Sequence, residues 1–425
     1  MVRQSRAPIH MIFAAAFLVA GIADAQFNQY TLPGGPQDRP EDRETKLKRE
    51  VAAARYHFGP VKVAPQIGIK DVAYVRNLFA SARSEASDVT ATLGAGAHAY
   101  LLTGTKMTWV AHVLPDYIAW RRRTDARRLN LTYGIESLGF FNRLFVGVAV
   151  GRTEQLQILT PEIPEPVNGR SDQAQVTTEL RVSGALYAFA TASESRQKGL
   201  VDDLVDPLLR QIALLDRTEE VVRAGLRWRQ RAGWTIGVGG EHSQVDFDSS
   251  MRDSSNSGNA PVLELRYDAP RFFFQSDLAD RSLEARQGSR FVPFHGVTGH
   301  AAIAFQPRPG LEIWTYGSRN LVYSLSPTDP YIDDRRVGLA LSIGAGRRFS
   351  SRLFAEAGKE RYVAFSPASS QRLDDMTAFG GSAHFRLADI ATLGFQIMRT
   401  RFTSNLPGGG RSYTTGGFSV TLGSP

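Results

Sequence analysis

The 425-residue chain has no cysteine, which removes disulfide frameworks, thiolate metal sites, iron–sulfur clusters and cysteine nucleophiles. After its first 25 residues it also lacks any apolar run approaching the roughly 18 residues that a membrane helix needs. It has no Gly-rich phosphate loop, no HExxH and no nucleophile-elbow pattern. Apolar residues make up 42%, a little under the usual soluble range. Glycine (39), phenylalanine (24) and tyrosine (13) are plentiful, and the formal charge is +8.

The N-terminus carries Arg3 and Arg6, an apolar stretch from Met11 to Ala20, and Ala23-Asp24-Ala25 before Gln26. That stretch is too short to span a bilayer and has the order of a cleaved secretory signal over residues 1–25. Residues 26–60 are then expected to form a mobile periplasmic leader, Pro-rich at its start, with a short helix over Glu44 to Ala54.

From Val61 to Leu422 the chain resolves into eighteen segments of alternating character, many of 11 to 15 residues. In one, Val222, Ala224, Leu226 and Trp228 oppose Arg223, Gly225, Arg227 and Arg229. In another, Val337, Leu339, Leu341 and Ile343 oppose Arg336, Gly338, Ala340 and Ser342. Between Asn259 and Leu283, two such segments meet at Ala269-Pro270, with Glu264 and Arg266 alternating against Leu263, Leu265 and Tyr267.

Short joints at Thr103-Gly104, Ser183-Gly184, Arg231-Ala232, Ala269-Pro270, residues 307–310, Ser350-Ser351 and Ala388-Asp389 alternate with longer polar connections. A transmembrane antiparallel up-and-down β-barrel produces that alternation, because all tight turns lie on one side of the membrane and all long loops on the other. The fold class predicted is therefore an all-β outer-membrane barrel of about 18 strands over residues 61–422, with 16 as the other even count. Short turns are expected in the periplasm and long loops outside. Trp109, Trp120, Trp228, Trp234 and Trp314 suit interfacial girdles.

If Trp228 faces lipid, then Arg223, Arg227 and Arg229 face the lumen, because charge on the lipid face costs roughly 2–4 kcal/mol at mid-membrane. The same logic sends Glu264, Arg266 and Arg336 inward. Two readings of these candidate lumen residues stay open: a positively lined path for anionic or polyhydroxylated solutes, or cross-strand pairs that stiffen the wall. Residues 197–217 set Leu200, Leu204, Leu208 and Ile212 on one helical face, interrupted by Pro207. This segment is a candidate constriction if it folds inward and a cap if it packs on the rim.

No catalytic residue, metal site or cofactor is predicted. The histidines lack metal-ligand spacing except for a loose His295/His300 pair, and Ser243 beside His242 or Ser382 near His384 would be the first places to seek a hydrolase. Nucleic acid is not an expected partner, because the arginines are spread over alternating wall positions.

The leader followed by FGPVKVAPQIGIKDVAYVRNLFA (58–80) resembles the β-barrel porin families of Gram-negative outer membranes, in particular the group found beside exopolysaccharide synthesis and export genes. The likeness is a Gly-Pro turn, a first strand ending in an aromatic, and Asn77-Leu78-Phe79 leading into the first long loop. Val75-Arg76 departs from the Asp and Asn more usual in that group, and the chain ends without a terminal aromatic, leaving Phe418 and Leu422 as its apolar signal.

The resemblance implies an outer-membrane location and contact with outer-membrane lipid, lipopolysaccharide and the barrel-assembly machinery. It implies porin-like passage of small polar or anionic solutes without catalysis. An accessory barrel for exopolysaccharide export or attachment, a plugged structural barrel and an outer-membrane hydrolase are the alternatives, and the oligomeric state stays open.

Overall fold

Two-residue alternation builds strand after strand here. The computed structural model describes residues 33–36, 39–76, 87–122, 124, 127–157, 160–162, 167–200, 211–230, 233–249, 254–326, 328–346, 348–366, 371–388 and 391–423. The signal segment 1–25, Asn77-Leu78-Phe79, Arg231-Ala232, Asp389, Leu204 and Leu208 lie outside the described residues.

Helix α1 (Arg43–Ala53) comes first, then a short strand β1 (Tyr56–Phe58). The wall begins with β2 (Val61–Arg76), β3 (Asp88–Thr103), β4 (Met107–Trp120), β5 (Arg128–Phe140), β6 (Leu144–Gln157) and β7 (Val167–Ser183). It continues through β8 (Leu186–Gly199), β9 (Arg217–Arg229), β10 (Trp234–Phe247), β11 (Asn256–Asp268), β12 (Phe272–Ala285) and β13 (Phe294–Arg308). The last six are β14 (Leu311–Tyr323), β15 (Tyr331–Ala345), β16 (Phe349–Val363), β17 (Leu373–Ala388), β18 (Ala391–Ser404) and β19 (Arg411–Gly423).

Each of these strands pairs antiparallel with the next, and β19 pairs back onto β2. The wall from β2 to β19 is thus an all-β, closed, 18-stranded antiparallel barrel with no free edge. β1 only adds a three-residue hairpin to the start of β2.

Exposure runs opposite to that of a soluble protein. Val337, Leu339, Phe379 and Ile397 are each 58–61% exposed, whereas Glu241, Glu356, Glu360 and Arg336 are buried. An apolar outer surface on that scale is stable only against lipid, since leaving a Val, Leu or Phe side chain in water forfeits about 1.5–3 kcal/mol. Trp109, Trp228 and Trp234 lie on this outer face, the last packed on Tyr267 at 4.6 Å. Trp120 and Trp314 do not join the girdle: both are buried on the inner face, set there by strand parity.

The joints fall close to the expected places. Ser350 and Ser351 are exceptions, because both belong to β16 and the turn before it forms at Gly346, whose φ of 63° only glycine adopts freely.

Candidate functional site

The inner face of β7 to β12 carries a continuous ladder of charge. Arg227 forks onto Glu264 at 2.6 and 2.9 Å and reaches Glu179 at 3.1 Å, and Arg229 meets the same Glu179 at 2.6 Å. One step toward the long loops, Arg223 joins Glu241 at 2.7 Å and Asp277 at 2.8 Å, and Arg281 holds the other oxygen of Glu241 at 2.9 Å. Strand register creates the ladder: Arg227 lies opposite Gly237, which lies opposite Glu264. A Cβ at Gly237 would sit 2.8 Å from the Glu264 carboxylate, so glycine clears the space in which the fork closes.

A second network lines β14 to β19. Arg336 pairs with Asp334 at 2.8 Å and Glu356 at 3.5 Å, while Arg411 bridges Asp374 at 2.7 Å and Glu360 at 3.4 Å. All six candidate lumen residues therefore stand on the inner face, and each has a charged partner; Arg266 pairs with Asp268 at 3.0 Å. Of the two readings of these charges, cross-strand pairing describes their contacts.

The leader contributes most to the short-turn end. Leu47 and Val51, four residues apart on α1, bury with Ala54 against Tyr100, Val110 and Leu138 on the inner face of β3, β4 and β5. Asp42 caps the helix by accepting from the Thr45 amide at 3.1 Å, and the Arg43 guanidinium lies 5.3 Å from the Phe145 ring on β6. Upstream, Arg39 binds Glu312 at 2.7 Å and donates to the Ala269 carbonyl at 3.0 Å, and Arg266 donates to the Pro40 carbonyl at 2.7 Å.

Further upstream, Arg352 donates to the carbonyls of Gly34 and Pro36 at 2.9 and 2.6 Å, and the Gly34 amide donates to Glu356 at 2.9 Å. Gly35 lies so close to Tyr316 that a Cβ would fall 2.4 Å from its ring. Residues 33–36 and 39–53 thus lie along the inner wall from β16 to β3. The expected helix is present, and the described residues of the leader contact the inner face of the ring. Burial lifts the Glu50 carboxyl above its ordinary range, against the opposing pull of Lys46 and Arg49.

The long-loop end is narrowed by apolar packing. Ile212 and Leu215 cluster with Val167, Val245, Leu283, Phe291, Phe294, Leu321, Tyr323, Leu325 and Tyr331. Of the candidate constriction segment, Ile212 is buried inside this cluster and Leu200 is exposed. Tyr323 shares strand parity with the lipid-facing Ile313, yet its hydroxyl accepts from Asn256 on the inner face of β11 at 2.7 Å. β13 and β14 pair only as far as Gly299 and Arg319, whereas β14 and β15 stay paired to Tyr323 and Tyr331. Freed from β13, the β14–β15 hairpin arches inward and turns its outer face down onto the lumen.

The tip of that hairpin is met by Glu162, from the β6–β7 connection eight strands away. Glu162 accepts from the Ser324 hydroxyl at 2.8 Å, from the Ser326 amide at 3.2 Å and from the Leu325 amide. Nothing in the local sequence marks Glu162 or the Gly34-Gly35 seat, because their partners are over 160 residues distant.

Strand parity separates two of the candidate histidine pairs. Ser243 and His242 point to opposite faces of β10, where the His242 ring bonds Asn259 at 2.9 Å. His295 and His300, five apart on β13, also face opposite ways, and His295 bonds Ser282 at 3.0 Å. Among the described residues no group of three or more His, Asp or Glu is placed to hold a metal ion.

No family model and no curated protein matches the sequence. Solved structures do match the fold. A BenF-like porin from Pseudomonas fluorescens Pf-5 aligns with a TM-score of 0.53 at 9% identity, covering 85% of this chain and 98% of that one. Pseudomonas aeruginosa OccK2 (OpdF) in complex with glucuronate gives 0.51 at 10% identity over the same shares. Acinetobacter baumannii OccAB3 also gives 0.51, at 10% identity, with 85% and 98% covered. The chain has the fold of these outer-membrane porin barrels.

Proposed function

We propose that the protein is an outer-membrane channel for small polar solutes, with a preference for anions such as uronates or other small carboxylates, and that it performs no catalysis. The observation that carries this reading is the inner ladder of Arg229, Glu179, Arg227, Glu264, Arg223, Glu241 and Arg281. A charged wall is compatible with water and offers guanidinium donors in reach of a passing carboxylate. Of the candidate lumen arginines, Arg229, with 43% of its side chain exposed, and Arg266, with 33%, are the most open to such a solute. The glucuronate complex of OccK2 supports the substrate class by fold likeness alone.

Export of a polysaccharide chain fits less well, since residues 33–36 and 39–53 and the arched hairpin encroach on both mouths. In planar bilayers the purified chain is expected to give stable single-channel steps, and a salt gradient to set a reversal potential on the anion side. Silence at every voltage would sink the channel reading. Liposomes holding the protein should swell faster in glucuronate than in a neutral sugar of equal size, and the opposite order would remove the anion preference.

A further inference from the structure

At the long-loop ends of β15 to β18 the apolar outer face of the barrel gives way to a patch of cations. On β16, Leu353, Ala355 and Ala357 give way to Lys359 and Arg361, all with outward parity. On β18, Leu393, Phe395 and Ile397 give way to Arg399 and Arg401. Register places Arg401 opposite Thr377 and Arg399 opposite Phe379, which is 59% exposed on the same face. The patch therefore starts where the apolar belt of those strands ends.

Its carboxylates do not match its cations. Asp333 is shared by Arg319 at 2.9 Å and Arg335 at 2.7 Å, and Asp375 reaches Lys359 only at 4.0 Å, with both side chains largely exposed. Among the described residues, Arg361, Arg399 and Arg401 have no ion pair. The same level of the far wall is built differently: outward Arg152 and Arg170 both pair with Asp172, and Arg170 also approaches Glu154 at 4.0 Å. Unpaired arginines beside a hydrocarbon belt are costly unless they extend to an anion at the interface.

We infer that Lys359, Arg361, Arg399 and Arg401 form a docking surface for the phosphates of lipid A, the anchor of lipopolysaccharide. Charge complementarity and position select this occupant: two phosphates on a rigid disaccharide at the belt's upper edge match guanidiniums spread over neighbouring strands, and arginine binds phosphate through paired donors. The inference rests on the chain being an outer-membrane barrel but not on what passes through it.

The test uses the full chain in detergent and measures binding of bisphosphorylated lipid A, with dephosphorylated lipid A and phosphatidylglycerol micelles as the other arms. The wild type should prefer the bisphosphorylated form. Arg361→Ala with Arg399→Ala and Arg401→Ala should weaken that binding on the order of a hundredfold, while Arg152→Ala with Arg170→Ala changes it little. Arg399→Lys with Arg401→Lys, which keeps the charge, should retain most of the binding and guards against a folding defect in the triple variant. Equal binding by the triple variant, or equal binding of dephosphorylated lipid A or phosphatidylglycerol by the wild type, overturns the assignment. Single-channel conductance of the triple variant should equal the wild type, so failure of the lipid site and failure of the channel reading are told apart.

Discussion

Arg227 holds two carboxylates from strands on either side of its own. Arg227→Ala leaves Glu264 and Glu179 facing a partly dehydrated wall without that guanidinium, at a cost on the order of 1–3 kcal/mol. The heat-modifiability midpoint on gels should fall accordingly, and the reversal potential should move toward cations. A two-residue period also separates Leu341 from Ser342, which sit on outer and inner faces. Leu341→Arg is expected to impair insertion by roughly 2–4 kcal/mol, whereas Ser342→Arg is tolerated; a folding-shift assay giving the reverse order would mean the faces are assigned backwards. At this scale the sequence was highly legible: parity alone sent Arg223, Arg227, Glu264, Arg266 and Arg336 inward. Their pairing partners were less so, because register across strands, and not spacing along them, brings Glu179 to Arg227.

Helix α1 and the extended residues before it act as one element along the short-turn mouth. Leu47→Asp with Val51→Asp should release the helix from Tyr100, Val110 and Leu138, and the single-channel conductance should rise toward that of a chain lacking residues 33–53. Glu50 gives the docking a pH dependence. Its docked pKa lies above its ordinary 4.5, so the docked state binds the proton more tightly. Docking is then favoured as pH falls, fully so below 4.5, and weakens as pH rises through the docked value. Protease protection of the leader should follow that trend, and Glu50→Gln should weaken it. The sequence pointed to a short helix over Glu44 to Ala54, but its seat could not be read. Arg39 and Glu312 are 273 residues apart, and no local pattern encodes such a meeting.

The whole molecule is a ring narrowed at two levels by different means: a leader held by polar tethers and one packed helix at the short-turn end, an apolar cluster with one carboxylate clasp at the other. Glu162 crosses between opposite walls, so Glu162→Ala should loosen the arched hairpin, speed liposome swelling and expose residues near Ser324 to external protease. The strand count and the alternation of turns and loops were legible because lipid on one side and water on the other impose them. The arch was not, since it arises where β14 parts from β13, and Gly299 gives no periodic sign of that break. The ring also has an order of events written into it. β2 is the strand on which β19 must close, and the leader directly precedes β2. Its helical half finds its seat once β3 to β6 exist, while Gly34 and Gly35 must wait for β14 and β16, the slow, long-range part of the topology. The described leader is therefore moored at one end early and at the other end late. Whatever shuts the ring also decides whether that segment is caught inside.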